Sequence, residues 1–190
     1  MMNYLSKVGL RPIMLSLAFF SAGFIGCYRQ VPFEKPLAPV EVKVLTRDPP
    51  APGQDEADLI ITSHVKRASF LLSPRTADTP YTFVISVNGQ EFKDAVKGVE
   101  EVESDIKSER GKGVHYLLEK RLRFKPETYK ITLKSEDGTV ASVKAELIGG
   151  KVYALKFEPL YGRKVGLTGG FGERLLDFRA YLDGKEIIKE

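Results

Sequence analysis

The sequence predicts an all-β fold, an antiparallel β-sandwich, over residues 59–190. From Leu59 onward apolar side chains recur at every second position, which is the period of a half-buried strand. Turn signals of the Asn-Gly, Asp-Gly and Gly-Gly kind separate these runs, as is typical of sandwiches and barrels. With 190 residues the chain is long enough for one domain with a substantial core.

The individual strands are predicted from apolar residues at alternate positions. A short strand over Val40–Val44 alternates valine with charged residues and precedes the main series. The main series has its apolar faces at Tyr81–Val87, Tyr116–Phe124, Tyr129–Leu133, Val143–Leu147, Tyr153–Phe157 and Leu176–Leu182. The opposite faces carry the charged side chains Glu119, Arg121, Arg123, Lys130, Lys144 and Lys156. Strands of this kind belong to a sheet with one buried and one solvated face.

One segment, residues 93–113, interrupts the alternation. Its apolar residues at helical spacing are Val96, Val99, Val102 and Ile106. That spacing is typical of a short amphipathic helix, but Gly98 and the glycines near residue 112 disfavour one. A short helix and a mobile insertion between two strands are the two alternatives.

Two of the predicted hairpins have similar sequences. Residues 83–92 align without gaps on residues 178–187, with phenylalanine, glycine and glutamate identical. Each has Asn-Gly or Asp-Gly at its turn, a choice that a type I′ turn favours in any hairpin. Two explanations of this similarity are open: internal duplication, and independent selection of the same turn residues in unrelated hairpins.

The N-terminal segment contains an uncharged run from Pro12 to Tyr28 that follows Lys7 and Arg11. A basic start, a short apolar stretch and small residues at its end are the pattern of an export signal. The run is short for the ~20 apolar residues that span a bilayer, and its proline and glycines disfavour an unbroken helix. Its last residues, Phe24-Ile25-Gly26-Cys27, resemble the lipobox of bacterial lipoproteins, with Phe24 at a place where leucine is usual.

This resemblance implies cleavage before Cys27, followed by acylation of the cysteine sulfur and the new amino group. Cys27 is the only cysteine of the chain, so lipidation also accounts for an unpaired thiol in an exported protein. A retained membrane anchor and a cleaved signal without lipid are the alternatives. Tyr28 follows the cysteine where an inner-membrane retention signal would have aspartate. The resemblance therefore implies attachment to the outer membrane, facing the periplasm.

The chain is thus divided into three parts. They are a lipoprotein signal peptide over 1–26, the lipidated cysteine with a proline-rich tether and one short strand over 27–58, and the sandwich over 59–190. Six of the eleven prolines lie between residues 32 and 52, and proline favours extended backbone. Removal of the signal takes away Lys7 and Arg11 and lowers the formal net charge of +4 by two. So small an excess predicts no nucleic-acid partner.

Some of the hairpin sequences resemble a known class of module. Phe124-Lys-Pro-Glu-Thr-Tyr-Lys-Ile131 and Tyr181-Leu-Asp-Gly-Lys-Glu-Ile187 are similar to the small β-sandwich modules of bacterial envelope proteins, the PEGA-type repeats. Thr128-Tyr129 stands in place of the Gly-Ala of that family's signature. The resemblance covers the hairpins, implies an immunoglobulin-like sandwich in an envelope setting, and carries no activity.

The two histidines are the first candidates for chemistry. His115 is predicted to be an exposed residue, and Glu119, four residues along the strand, would be ~13 Å from it. His64 is predicted at a strand start without an acidic or cysteine neighbour at a spacing typical of metal ligands. No serine lies in a Gly-x-Ser-x-Gly elbow. The sequence therefore predicts no catalytic residue, no metal site and no cofactor.

The glycine-rich segment 161–172 matches no phosphate-binding motif, because the pattern after it is that of a strand rather than a helix. It is predicted to be a long connection between strands. It combines Tyr161 and Phe171 with Arg163 and Lys164, the aromatic and cationic mixture that is frequent at binding hot spots. These four residues form the candidate contact loop for an envelope protein, a glycan or a lipid.

A basic run, Lys120 to Lys125, lies on a predicted strand. Alternation directs Arg121 and Arg123 outward and Lys120 toward the core side, where its ammonium group reaches solvent at an edge. A solvated sheet face is the simpler interpretation of such a run. The alternative is a binding site for an acidic glycan, a lipid headgroup or a partner.

These observations favour a lipid-anchored envelope protein that acts as a non-enzymatic binding or assembly module. A second hypothesis is a carbohydrate-processing hydrolase, which needs two carboxylates about 5–9.5 Å apart across a cleft. No acidic pair in the sequence stands out for that role. A structural subunit of an envelope or secretion complex is the third hypothesis.

Overall fold

The computed structural model describes residues 40–45, 49–68, 75–101, 109, 111–163 and 173–190, without the side chains of Ala68, Arg163 and Glu173. These residues form eleven strands in two sheets and no α-helix. The predicted all-β sandwich is confirmed. Within the described ranges there is no helix long and apolar enough to cross a bilayer. The export signal and Cys27 lie outside the described residues.

The eleven strands are numbered in chain order. In order they are β1 (Lys43–Val44), β2 (Ala57–Ala68), β3 (Tyr81–Val87), β4 (Gln90–Val96), β5 (Gly98–Glu101), β6 (Gly113–Phe124), β7 (Thr128–Ser135), β8 (Val140–Glu146), β9 (Val152–Arg163), β10 (Glu173–Leu182) and β11 (Lys185–Ile187).

The larger sheet has β2 between β6 and β9. Its order is β1-β6-β2-β9-β10-β11, and β5 pairs with the end of β6 opposite to the end that β1 occupies. β2 pairs with β6 in antiparallel fashion over its whole length and with β9 in parallel fashion. The smaller sheet has the order β4-β3-β7-β8 and is entirely antiparallel. The parallel β2–β9 pair is not indicated by the sequence pattern.

The inward faces of the two sheets form one apolar core. Burial alternates strictly along β3, as the period-two pattern predicts. Tyr81 of β3 stacks on Tyr116 of β6 with ring centroids 5.1 Å apart, which joins the two sheets. The guanidinium of Arg75 lies 5.3 Å from both ring centroids, a cation–π arrangement that covers this end of the core.

The segment before β2 belongs to the folded domain. β2 begins at Ala57, and both Ala57 and Asp58 are fully buried. The Gly150 N–H donates to the carbonyls of Gly53 at 3.0 Å and Glu56 at 2.8 Å. The assignment of residues 40–58 to a tether is therefore corrected for the described residues 40–45 and 49–58. The predicted strand over 40–44 is reduced to the two residues of β1.

Strand pairing occupies the described residues 93–96 and 98–101 of the segment for which a short helix and a mobile insertion were the two alternatives. β4 continues to Val96, and β5 follows at once from Gly98. Gly98 permits this packing, because a Cβ atom at that position would lie 2.2 Å from the side chain of Val114. Residues 102–108 and 110 lie outside the described residues.

The two similar sequences form hairpins with the expected turns. Asn88 and Gly89 have φ values of 46° and 90°, and Asp183 and Gly184 have values of 49° and 79°. Positive φ at both central residues defines the type I′ turn. The hairpins belong to different sheets, β3–β4 to the smaller and β10–β11 to the larger.

In β10 the buried positions differ from those that the alternating pattern predicts. The register of β10 against β9 shifts between Leu175 and Asp177, which marks a β-bulge. Leu175 is consequently buried, whereas Leu176, predicted on the apolar face, is 60% exposed.

Candidate functional site

Strand pairing places the two histidines side by side on the outward face of the larger sheet. Lys66 of β2 lies opposite His115 of β6, and His64 lies opposite Leu117. His64 and His115 are therefore diagonal neighbours on one face. Their ring centroids are 5.5 Å apart and their planes cross at 82°. The expectation that each histidine stands alone is wrong, and His64 lies within β2 rather than at its start.

Glu109 completes a cluster with these two residues. It is only 1% exposed, and its Oε1 lies 3.3 Å from Nε2 of His64. One potential ligand atom from each of His64, Glu109 and His115 lies within 4.8 Å of the other two. We call these three residues the His–Glu cluster. Two imidazoles and one carboxylate thus converge beside β2 and β6.

Lys66 holds the chain segments around this cluster in place. Its side chain is fully buried, and its Nζ donates to the backbone carbonyl of Glu109 at 2.8 Å. The same ammonium group forms an ion pair with Glu101 Oε2 at 2.8 Å. The backbone N–H of Lys66 donates to the hydroxyl of Tyr161 at 2.7 Å. Lys66 therefore connects β2 to the end of β5, to Glu109 and to β9.

The cluster contains buried polar atoms that lack hydrogen-bond partners. Among the described residues, such side-chain atoms occur only in Glu101, Glu109 and His115. Glu101 Oε2 has the Lys66 ammonium as its ionic partner, and the Glu109 carboxylate has Nε2 of His64 at 3.3 Å and the hydroxyl of Tyr161 as neighbours. Neither oxygen of Glu109 accepts a well-aligned hydrogen bond, however, and Nε2 of His115 has no hydrogen-bond partner. Buried polar groups without a partner are uncommon and need an explanation. Here three of them belong to one cluster.

The ionisation of the cluster follows from burial and from the neighbouring charges. Burial raises the pKa of Glu109, but its interactions with His64, with His115 and with the Tyr161 hydroxyl outweigh this effect and leave the pKa below its usual value. Burial lowers the pKa of His115. Burial also raises the pKa of the Tyr161 hydroxyl far above its ordinary value. Near neutral pH the cluster therefore contains an ionised carboxylate and a neutral His115 beside a neutral phenol.

This arrangement has the chemical properties of a ligand set. A neutral imidazole and an ionised carboxylate are the forms in which these side chains coordinate metal ions. The described contacts of both histidines are with each other and with Glu109 rather than with a serine hydroxyl.

The candidate contact loop lies only partly within the described residues. Tyr161 is a residue of β9, packs against the core and accepts a hydrogen bond from Lys66. The backbone of Arg163 ends β9, while Lys164 and Phe171 lie outside the described residues. A contact role for these four residues stays a prediction, and the described contacts of Tyr161 are with the framework of the His–Glu cluster.

The basic run is paired with internal carboxylates. Asp58 is fully buried and accepts hydrogen bonds from Arg121 at 2.7 and 3.0 Å and from Arg123 at 2.6 and 3.0 Å. Lys120 lies on the inward face, as the alternation predicts, and its ammonium group pairs with Asp94 of β4 at 3.0 Å. The interpretation of Arg123 as part of a solvated face is wrong, because its side chain is only 10% exposed. Both arginines already have an acidic partner within the chain.

The His–Glu cluster could not be identified from residue spacing. His64 and His115 come together only because β2 pairs with β6 in the register that sets Lys66 against His115. Glu109 belongs to a charge-rich segment in which the sequence singles out no acidic residue. The sequence contained only a weak indication of the cluster. Both histidines lie in predicted strands, and antiparallel pairing can bring residues that are distant in sequence together.

Comparison with known proteins identifies no relative of this chain: no family model, no curated protein and no solved structure matches it.

Proposed function

We propose that this chain is a lipid-anchored protein of the bacterial envelope and that its β-sandwich acts as a non-enzymatic binding module. The observation that carries the proposal is the sequence Phe24-Ile25-Gly26-Cys27 at the end of an uncharged run that follows Lys7 and Arg11. Export signals have this order of basic, apolar and small residues.

The anchor is the first part of the proposal. Acyl chains on both the sulfur and the amino group of Cys27 would give stable attachment, since one chain binds membranes only marginally and each buried CH₂ contributes ~0.8 kcal/mol. Tyr28 after the cysteine favours the outer membrane, facing the periplasm. The prolines between residues 32 and 39 favour an extended spacer between this anchor and the domain.

The binding role is the second part. A two-sheet sandwich with one continuous core is a rigid support on which a site can be held in place. The His–Glu cluster provides converging polar groups whose hydrogen-bonding capacity is only partly used within the described chain. A ligand or partner that supplies the missing contacts would account for them.

The anchor is tested by intact mass measurement of the full chain extracted from membranes. We expect a polypeptide that begins at Cys27 and carries the added mass of acyl chains. A Cys27→Ala variant should appear in the soluble fraction or as an uncleaved precursor, whereas Ser21→Ala, a change in the same segment that leaves the cysteine intact, should behave as the parent. An unmodified polypeptide that begins at Met1 would refute the anchor.

The binding role is tested by purification from native membranes. Co-purification of a defined protein, glycan or lipid that exchanges with added ligand supports it. Isolation of the acylated protein without any bound molecule, together with no ligand-dependent change in its melting temperature, would contradict it.

A further inference from the structure

We propose that His64, Glu109 and His115 bind one divalent transition-metal ion of the Zn²⁺ type. This proposal names a ligand class for the binding function above and in that sense rests on it. The site itself consists only of residues of the sandwich, so its test is separate from the test of the anchor.

The positions of the donor atoms support a single ion. Zn²⁺ binds imidazole nitrogen and carboxylate oxygen at about 2.0–2.2 Å, so two ligand atoms of a tetrahedral site are roughly 3.4 Å apart. Nε2 of His64 and Oε1 of Glu109 are already 3.3 Å apart. The three ligand atoms lie within 4.8 Å of one another, so a contraction of roughly 1.5 Å at most, through side-chain rotation, would complete the set.

The unpartnered atoms are the second observation. Glu109 is 1% exposed, and neither of its side-chain oxygens accepts a well-aligned hydrogen bond. Its polar neighbours are Nε2 of His64, 3.3 Å from Oε1, and the hydroxyl of Tyr161. Nε2 of His115 is also buried without a partner. A buried carboxylate normally has a cation or several donors, because transfer of a charge away from water is costly. A metal ion bound between the three side chains would compensate the charge of the carboxylate and give His115 a partner.

The local charges are compatible with a cation. The ammonium group of Lys66, which lies beside the cluster, has its own carboxylate partner in Glu101 at 2.8 Å. It bonds to the backbone carbonyl of Glu109 at 2.8 Å rather than to the side chain. Lys66 therefore does not neutralise the carboxylate of Glu109, which can compensate the charge of an ion, and it fixes the backbone that carries this carboxylate.

The donor types indicate the class of ion. Two imidazoles with one carboxylate suit Zn²⁺ and its transition-metal neighbours, whereas Ca²⁺ and Mg²⁺ prefer sites built from oxygen. Three protein ligands leave the fourth position of a tetrahedral ion to water or to a donor atom of a partner. The side chain of His64 is 16% exposed, so the cluster is accessible to an ion from solvent at this residue.

The proposal is tested by calorimetric titration of Zn²⁺ into the full acylated chain in detergent, after removal of bound metal with a chelator. We expect saturation at one Zn²⁺ per chain. His115→Ala and Glu109→Gln should each weaken the affinity by more than the 10–100-fold that is typical of changes outside the ligand shell. Glu119→Gln removes an exposed carboxylate from the same face of β6 and should leave the affinity unchanged.

Two further measurements keep the test decisive. Thermal melting in the absence of metal should show that each variant is folded. If His115→Ala or Glu109→Gln is not folded, His64→Asn is used in its place. The Cys27→Ala chain should retain the parent's affinity for Zn²⁺, so that failure of the anchor and failure of the metal site are distinguishable. Absence of saturable binding to the folded parent, or equal affinity in His115→Ala, would overturn the metal site.

Discussion

The buried carboxylate of Asp58 should be a major contributor to the stability of the domain. It lies on β2 directly opposite Arg123 and diagonal to Arg121, and its two oxygens accept four hydrogen bonds from the two guanidinium groups. Replacement by asparagine keeps the volume of the side chain and removes its charge. Both arginines would then lose their common counter-ion within a fixed β-sheet.

The magnitude follows from the burial of the three groups. Loss of one partner of a fully buried ion pair costs about 3–5 kcal/mol. Asp58 is fully buried, but the side chains of Arg121 and Arg123 are 24% and 10% exposed, and Arg123 keeps contacts with Glu56 and with the carbonyl of Pro50. We therefore expect Asp58→Asn to lower the free energy of unfolding by about 2–3 kcal/mol, since solvent screens part of the loss. The melting temperature should fall by roughly 4–12 °C.

Urea denaturation at pH 7 measures this loss, with Glu158→Gln as the control. Glu158 pairs with Lys156 on the exposed face of β9, where such a pair is worth at most about 1 kcal/mol. A free energy of unfolding for Asp58→Asn within about 0.5 kcal/mol of the parent, the usual range of surface substitutions, would refute the reasoning.

The same carboxylate predicts a pH dependence. Burial raises the pKa of Asp58, but the hydrogen bonds and charges of Arg123 and Arg121 outweigh it and lower the pKa in the folded state below its ordinary value of 3.8. The contribution of Asp58 is therefore present above pH 3.8 and is lost as the pH falls through the folded-state pKa. The stability difference between parent and Asp58→Asn should narrow in that acidic range, and a difference that widens there would contradict the assignment.

Two more substitutions test the surroundings of the candidate site and the attachment of the segment before β2. Tyr161→Phe removes the hydroxyl that accepts the Lys66 N–H at 2.7 Å, and it should lower the free energy of unfolding by about 1–2 kcal/mol in urea. If the free energy of unfolding is unchanged and the variant retains a bound partner less well than the parent, the result would instead favour the contact-loop hypothesis. Gly149→Ala would place a Cβ atom 1.8 Å from the carbonyl oxygen of Gln54, a backbone atom that cannot rotate away. It should cost about 2 kcal/mol or more, and a melting temperature equal to that of the parent would show that this segment is free to move.

The strands were predictable from sequence because each needs only local alternation. Burial in β3 and in β8 follows the period of two residue by residue. The two type I′ turns were predictable for the same reason, since Asn-Gly and Asp-Gly favour positive φ without regard to the rest of the fold. The sequence could not show which residues of β10 face the core, because the bulge after Leu175 depends on the pairing of β10 with β9.

The candidate site depends on information that the local pattern does not contain. His64 and His115 meet through the register of two strands that are distant in sequence, and a shift of one residue would send one of them to the opposite face. The burial of Asp58 has the same origin, because β2 lies between β6 and β9 and the arginines come from β6. The alternating pattern predicted the face of the sheet on which each side chain lies. It could not predict which residue of the adjacent strand lies beside that side chain.

The most direct test of the His–Glu cluster as a ligand site is a nuclear magnetic resonance titration of the imidazole nitrogens with Zn²⁺. The chain has two histidines, so every imidazole signal belongs to His64 or His115. Our account predicts that the signals of both histidines change together and that these changes are complete at one equivalent of Zn²⁺. In the Glu109→Gln variant, neither set of signals should change at the same Zn²⁺ concentration. A response from one histidine alone, or two responses with separate midpoints, would contradict it.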